Sequence, residues 1–267
     1  MNKDILIVQI TDTHIVAKDK RWMGLSKSDT SKRLQLVVEH INCLIPRPDI
    51  VIHTGDISDR GDISSYLQAK ELLDRLDIKY YLTCGNHDNF FNLRKVFKQH
   101  DYFINDNFSH YVIEGLPIRI IVLDSQVIGE DYGMLCSARI EWLRQVLLFS
   151  KKHTLIFIHH FPIKTKDKVF NEINLLNNKE LESIVSEHDN ILGIYCGHSH
   201  YAAVSMFGGK ICLVSPSTAP VHIIENNKCV GITLTSPSYS LHQYNILGEV
   251  TSSILGVDNV SLKHKYR

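Results

Sequence analysis

Five short apolar runs, each of which leads within three residues into Asp, Asn or His, constrain the fold of this chain more than any other feature. Nearly continuous apolar runs of four to six residues are typical of strands buried on both faces, as in a parallel sheet covered by helices. Each run therefore predicts a strand that places a polar side chain at its carboxyl end. The runs are residues 5–10, 50–53, 80–83, 155–158 and 191–195.

Helical periodicity fills the gaps between these runs. Apolar residues spaced i, i+3, i+4 and i+7 predict amphipathic helices, and Ser137 is expected to be the N-cap of the helix near residue 140. Alternation of strand and helix predicts βαβ units and a largely parallel sheet. The apolar helical positions are Leu34, Val37, Val38 and Ile41, then Ala69, Leu72, Leu73 and Leu76, and finally Ile140, Leu143 and Leu147.

The sequence pattern changes after residue 200. Short β-like segments at residues 210–214, 230–235 and 240–244 are separated by Gly, Asn and Pro, so we expect antiparallel strands there. No internal repeat or long linker divides the 267 residues, a length that supports a continuous core. We therefore predict one domain over residues 1–267, in which residues 1–200 supply the βα units and residues 201–267 form a mostly β portion.

The charge balance argues against a nucleic-acid or anionic-membrane partner. Lys plus Arg and Asp plus Glu number 29 each, so the formal net charge is zero, whereas such binders usually carry a basic excess. The apolar run at residues 5–8 is too short for an export signal or a membrane span, and the six cysteines form no C-x-x-C pair. These features predict a cytoplasmic protein. The 15 histidines indicate metal or proton chemistry.

The polar side chains at the five strand ends are expected to meet at one rim, because ligands bind at the carboxyl ends of the strands in open α/β sheets. Taken singly, each is as readily a turn residue, a helix cap or a structural histidine. Taken together, they are too many for one tetrahedral zinc ion and suit two cations that share a carboxylate. Two carboxylates, two divalent ions and one hydroxide leave a single positive charge, which complements a phosphodiester monoanion. The seven candidate ligands are Asp12, His14, Asp56, Asn86, His159, His198 and His200.

The motifs that carry these ligands resemble those of the calcineurin-like metallophosphoesterase superfamily. They are D-x-H at residues 12–14, G-D-x-x-D-x-G at residues 55–61, G-N-H-D at residues 85–88, His159, and G-H-x-H at residues 197–200. Further matches at residues 11–14, 159–162, 215–218 and 237–242 make the chain similar to the class III cyclic-nucleotide phosphodiesterase branch.

The resemblance implies a four-layer α/β/β/α sandwich with mixed sheets and a binuclear metal centre on one rim. It implies that Asp56 bridges two ions, that a metal-bridging hydroxide attacks the phosphorus in line, and that His87 protonates the leaving oxygen with Asp88 as its orienting partner. The metal is Mn, Fe, Zn or Co, because His, Asp and Asn accept all four. By the same resemblance, one ion is held by Asp12, His14 and His200, and the other by Asn86, His159 and His198.

The substrate that the resemblance places first is a small phosphodiester, 3′,5′-cyclic AMP. A glycerophosphodiester and a phosphomonoester stay open, because a metal centre of this kind recognises the phosphoryl group and not its substituents. A non-catalytic metal-binding scaffold is disfavoured, since the ligand set and His87 are intact, and a nuclease would require a basic track that the composition lacks. A homodimer is an open expectation.

Several residues near the motifs admit two interpretations. Trp22 and the pair at residues 90–91 are either stacking partners for a base or core side chains. His160 is either a substrate contact or a support for a ligand. The three lysines after the fourth strand either meet a phosphate or form a solvated loop face; they are Lys164, Lys166 and Lys168.

Overall fold

The structure is a computed structural model that describes residues 4–24, 29–103, 105–165, 168–226 and 228–257. Within these ranges, none of the six α-helices is long or apolar enough to span a bilayer. The strands are β1 Ile5–Ile10, β2 Ile50–His53, β3 Tyr80–Leu82, β4 Tyr111–Ile113, β5 Arg119–Leu123, β6 Thr154–Ile158, β7 Ile191–Cys196, β8 Ala203–Phe207, β9 Lys210–Val214, β10 Val221–Glu225, β11 Lys228–Thr233, β12 Ser238–Tyr244 and β13 Val250–Gly256. The α-helices are α1 Thr30–Asn42, α2 Ile63–Leu73, α3 Phe90–Val96, α4 Ser137–Leu148, α5 Lys168–Ile173 and α6 Asn178–Glu187.

Two mixed sheets and one hairpin contain all of these strands. The first sheet has the order β13-β12-β1-β2-β3, the second has the order β4-β5-β6-β7-β9-β8, and β10 pairs with β11. The five strands predicted from apolar runs pair in parallel with their neighbours, β1 with β2 and β2 with β3 in one sheet, and β6 with β7 in the other. Every residue of β1, β2, β3 and β6 is buried, as a run without polar alternation requires.

The two sheets lie between two layers of helices. One apolar cluster joins α1, α2 and α3 to the first sheet and continues into the inner face of the second sheet through Phe157, Tyr195 and Leu213. A second cluster lies between the outer face of the second sheet and helices α4, α5 and α6. The fold is therefore the expected α/β/β/α sandwich. One domain over residues 1–267 stays a prediction.

Two details of the sequence analysis are wrong. The last third is not wholly antiparallel, because β9 pairs in parallel with β7. The hairpin from β8 to β9 reverses the chain, so the returning strand inserts between β8 and β7 in the direction of β7. Ser137 is not an N-cap but the first residue of α4; Cys136 occupies the cap position with extended backbone and makes no side-chain cap bond.

A buried polar bridge ties the two sheets together beneath the rim. The Gln9 amide, on β1, donates to the Cys196 carbonyl at the end of β7 over 2.9 Å and to Thr54. Its oxygen accepts from Nε2 of His242 at 3.1 Å, and Ser252 lies 2.8 Å from the other ring nitrogen. An amide oxygen only accepts, so Nε2 carries a proton.

Lowering the pH from 7 to 5 is expected to destabilise the metal-free protein through His242. Burial lowers the pKa of His242 from 6.5 to about 3, so below pH 6.5 the unfolded chain takes up a proton that the folded chain does not. The stabilisation is complete above pH 6.5 and is lost as the pH falls toward 3; the loss between pH 7 and 5 is about 2 kcal/mol. Urea unfolding at pH 7 and at pH 5 should show that the free energy of unfolding falls by about 2 kcal/mol more in wild type than in His242→Gln. An equal fall in both proteins would contradict a neutral, buried His242.

Candidate metal centre

The structure brings all seven candidate ligands together at the rim where β1, β2, β3, β6 and β7 end. His14 Nε2 and His200 Nε2 approach to 3.0 Å, and the ligand atoms of these residues and Asp12 lie within 4.8 Å of one another. His159 Nε2 lies 3.1 Å from the amide oxygen of Asn86. The rings of His159 and His198 have centroids 5.1 Å apart. The side chains that the resemblance assigns to each ion thus lie near one another, and which ion each of them holds stays a prediction.

Asp56 lies between the two groups. Its Oδ2 atom is 3.6 Å from His14 Nε2 and 3.4 Å from His159 Nε2, while Oδ1 accepts a hydrogen bond of 2.9 Å from the backbone N–H of His87. One carboxylate oxygen thus faces one ring from each group, which is the position that a bridging ligand requires.

Backbone carbonyls select the ring nitrogen that each histidine offers. His159 donates from Nδ1 to the Thr54 carbonyl at 2.8 Å, and His200 donates from Nδ1 to the Pro220 carbonyl at 2.9 Å. A carbonyl only accepts, so these bonds place a proton on Nδ1 and leave Nε2 as the nitrogen that faces the cluster. In metal sites, a hydrogen bond from the ring nitrogen that does not bind the metal fixes the tautomer and orientation of the histidine.

Buried polar atoms without partners fit the same interpretation. Asp12 Oδ2 accepts from the Thr11 hydroxyl at 2.8 Å and from the His198 N–H at 2.9 Å. Its Oδ1 atom and the Nε2 atom of His198 have no hydrogen-bond partner in the described part of the chain, although both are buried. Unpaired buried atoms are costly unless something binds them, so the donor set fits cations.

Five of the seven candidate ligands hold their backbone in the left-handed region. The φ angles run from 43° at His14 to 74° at His198, a region that residues other than glycine rarely occupy and that tends to cluster at functional sites. The neighbouring Gly85 is required for a different reason, since a Cβ there would lie 2.2 Å from Asp56 Oδ1. The five residues are Asp12, His14, Asp56, His198 and His200.

Charges within the metal-free centre are already paired. Burial disfavours ionisation of Asp56, but His159 and His87 outweigh it and hold its pKa well below the usual range. Burial also opposes the imidazolium form of His159, yet Asp56 raises the pKa of His159 to about 9. Burial and His14 lower the pKa of His200 to about 3. Cation binding at Nε2 of His159 would therefore displace a proton.

His87 is held by Asp59 rather than by Asp88, which corrects the expected orienting partner. Its Nδ1 atom donates to the Asp59 carbonyl at 2.8 Å. Burial lowers and the Asp56 carboxylate raises the pKa of His87, with a net increase above its ordinary value. The Asp88 carboxylate instead accepts from the backbone N–H groups of Ile57, Ser58 and Gly85 and holds the loop.

Asp59 and His222 also contact the candidate ligands, although the sequence assigned neither of them a role. Asp59 Oδ1 lies 3.4 Å from His14 Nδ1 and accepts from Trp22 Nε1 at 2.8 Å; its signal was its place in the G-D-x-x-D-x-G motif. His222 packs on His200 with ring centroids 4.6 Å apart, and a lone histidine in a β segment gives no such signal. Trp22 is only 2% exposed and packs on His14 and His200, so it supports the imidazoles.

The other open residues that the structure describes do not line the cavity, although a ring nitrogen of His160 lies within 4.8 Å of ring nitrogens of His159 and His198. His160 is fully buried, contacts the Ser125 hydroxyl at 2.8 Å and packs behind His198. Phe90 is a core residue, and Phe91 is exposed outside the cavity. Lys164 and Lys168 are exposed outside the cavity lining, whereas Lys166 lies outside the described residues.

A cavity of about 310 Å³ opens onto the centre. Candidate ligands, His87, Trp22 and His222 contribute to its lining, together with several apolar side chains. The volume of the cavity is in the range of small-molecule sites. The apolar side chains are Met23, Val169, Phe170, Ile173 and Ile224.

Comparisons with known proteins agree with this geometry. The chain is 36% identical over 244 residues to a probable glycerophosphodiester phosphodiesterase, GpdQ, of Arcobacter nitrofigilis, over 90% of this chain and 89% of that protein. It is 29% identical over 216 residues to the 3′,5′-cyclic adenosine monophosphate phosphodiesterase CpdA of Escherichia coli, over 80% and 76% of the two chains. Its fold is similar to that of a dimetal phosphatase from Danio rerio, with a TM-score of 0.64, 15% identity, and coverage of 95% and 99%. The model of the calcineurin-like phosphoesterases matches residues 5–202, which include all five polar strand ends, and the chain therefore belongs to that family.

Proposed function

We propose that this phosphoesterase hydrolyses a small phosphodiester at a centre of two transition-metal ions. The observation that carries the proposal is the position of Asp56, one oxygen of which faces a ring from each ligand group. In the proposed centre Asp12, His14 and His200 hold one ion, and Asn86, His159 and His198 hold the other. Mn, Fe, Zn and Co all suit these ligands.

His87 is proposed to deliver the proton that the leaving oxygen needs. At these residues, two cations would lower the pKa of a bound water and hold the phosphoryl oxygens. The chain supplies the proton: the Asp59 carbonyl occupies Nδ1 of His87, which leaves Nε2 as the nitrogen that serves the substrate. The raised pKa of His87 keeps more of the ring protonated near neutral pH.

Among diesters, we rank glycerophosphodiesters before 3′,5′-cyclic AMP. The relative named for glycerophosphodiesters is 36% identical, against 29% for the relative named for cyclic AMP. Trp22 is buried against histidines and does not offer a free face on which adenine could stack. Cyclic AMP stays the second candidate because the cavity of about 310 Å³ and the apolar side chains in its lining suit a nucleoside.

The test is a hydrolysis panel with metal-stripped protein reconstituted in turn with Mn²⁺, Fe²⁺, Zn²⁺ and Co²⁺. The substrates are glycerophosphocholine, glycerophosphoethanolamine, 3′,5′-cyclic AMP, bis(p-nitrophenyl) phosphate and p-nitrophenyl phosphate. We expect the largest kcat/KM for a glycerophosphodiester, and Asp56→Asn prepared in parallel measures contaminating activity. A preference for the monoester would overturn the diesterase proposal, and no turnover with any metal would favour a binding scaffold.

A further inference from the structure

The loop of residues 85–88, which carries Asn86 and His87, is clamped by a side chain that does not line the cavity. The side-chain amide of Gln126 donates to the Gly85 carbonyl at 2.8 Å and to the Asp88 carbonyl. Both partners are carbonyl oxygens, so the amide nitrogen must point at the loop. One NH₂ group thereby joins the two ends of the loop and brackets the two residues whose side chains serve the centre.

Gln126 is itself held in place by a buried ion pair. Its backbone N–H donates to Asp124 Oδ1 at 2.8 Å, and its carbonyl accepts from the Arg139 guanidinium at 2.8 Å. Arg139, on α4, also reaches Asp124 Oδ1 at 3.2 Å and lies over the Phe108 ring at 4.3 Å. Gln126, Asp124 and Arg139 are all buried.

The same carboxylate anchors the chain that leads into the loop. Asp124 Oδ2 accepts from the backbone N–H of Ser109 at 2.8 Å. The Ser109 hydroxyl in turn lies 2.9 Å from the Thr83 hydroxyl and accepts from the Cys84 N–H at 3.1 Å. The second sheet thus holds both the approach to the loop and its two ends.

The stability of the fold alone does not explain this buried network. A buried ion pair loses hydration energy that its attraction barely returns, and apolar residues of equal volume stabilise as well or better. None of Asp124, Gln126 and Arg139 lines the cavity of the metal centre, so none of them touches the substrate. A group that is costly, buried and bonded through Gln126 to both ends of the loop of Asn86 and His87 is best explained by the geometry that it imposes there.

We propose that Gln126, supported by Arg139 and Asp124, is a positioning residue that holds Asn86 and His87 in their working geometry. The proposal rests on the roles given to Asn86 and His87 under the proposed function. Loss of the clamp should lower kcat and weaken one of two metal-binding events, because partners of ligands typically contribute about 10- to 100-fold to affinity or activity. KM should change little.

The experiment uses Gln126→Met, which keeps the length of the side chain and removes both donors. Gln145→Met is the matched control, since Gln145 is an exposed residue of α4 bonded only to Glu141 in the described structure. For each protein we would measure kcat and KM on bis(p-nitrophenyl) phosphate, a calorimetric Mn²⁺ isotherm, and the melting temperature without metal. If Gln126→Met does not fold, Arg139→Lys takes its place, because lysine keeps the charge but not the guanidinium contacts with Asp124 and the Gln126 carbonyl.

The expected result is a fall in kcat of about 10- to 100-fold together with weaker binding of one Mn²⁺ ion. The control should match wild type. A lower melting temperature with unchanged kcat and unchanged Mn²⁺ isotherm, in whichever of the two variants folds, would mean a purely structural role and would overturn the inference. Asn86→Ala separates the two proposals: if it too leaves turnover and metal binding intact, the proposed centre fails, whereas an effect of Asn86→Ala alone rejects only the clamp.

Discussion

Replacing Asp56 with asparagine is expected to lower kcat by about 10³-fold and to reduce the bound Mn²⁺ from about two ions per chain to about one. One oxygen of this carboxylate, Oδ2, lies 3.6 Å from His14 Nε2 and 3.4 Å from His159 Nε2. An amide keeps the shape and the hydrogen bond to the His87 N–H, but it supplies no charge and one weaker ligand oxygen. Elemental analysis after reconstitution, together with initial rates at saturating substrate, measures both effects.

Asp77→Asn is the control for Asp56→Asn, because Asp77 is an exposed carboxylate remote from the cavity lining. Its metal content and rate should match those of wild type. Retention of two ions by Asp56→Asn would show that Asp56 does not bridge, and wild type that binds one ion or none would contradict the binuclear centre itself.

Replacing His87 with alanine is expected to reduce kcat by about 10²- to 10⁴-fold for substrates with poor leaving groups. The alkoxide of glycerol or of choline needs a proton as it leaves, whereas p-nitrophenolate is stable without one. The loss should therefore shrink strongly for bis(p-nitrophenyl) phosphate. Steady-state rates across leaving groups of graded acidity measure this dependence.

Asn86→Ala provides the contrast for His87→Ala. Asn86 is proposed to hold a cation and not a proton, so its loss should slow all leaving groups to a similar extent. Circular dichroism of both variants checks that the fold persists. An equal loss for all leaving groups in His87→Ala would remove the ring from its role as acid.

Much of the centre could be predicted from the sequence because parallel strands place their carboxyl ends at one rim. The apolar runs that end in Asp12, Asp56 and His159 carry that information locally, and the spacing of each motif carries the rest. Other features depend on long-range pairing. The parallel direction of β9 follows from where a returning hairpin inserts, and His222 reaches His200 only because the hairpin of β10 and β11 lies beside the rim.

Local sequence patterns also do not identify the residues that hold the ligands of the centre in place. Asp59 stood in a motif, but its contacts with His14 and His87 require two loops to meet. Gln126 follows β5, an apolar strand that was not among the five runs from which the metal ligands were predicted. A glutamine that contacts backbone carbonyls across the sandwich has no sequence pattern of its own, because every residue has a backbone carbonyl whatever its side chain.

The left-handed turns beneath five of the ligands limit how this chemistry can be transferred by protein engineering. Copying the seven side chains onto the rim of another parallel sheet would not reproduce the centre, because an ordinary strand end directs Asp and His elsewhere. A successful graft must import the turns at Asp12, Asp56 and His198 as intact backbone units. Screening host scaffolds by turn conformation, before any side chain is chosen, is therefore the rational first step.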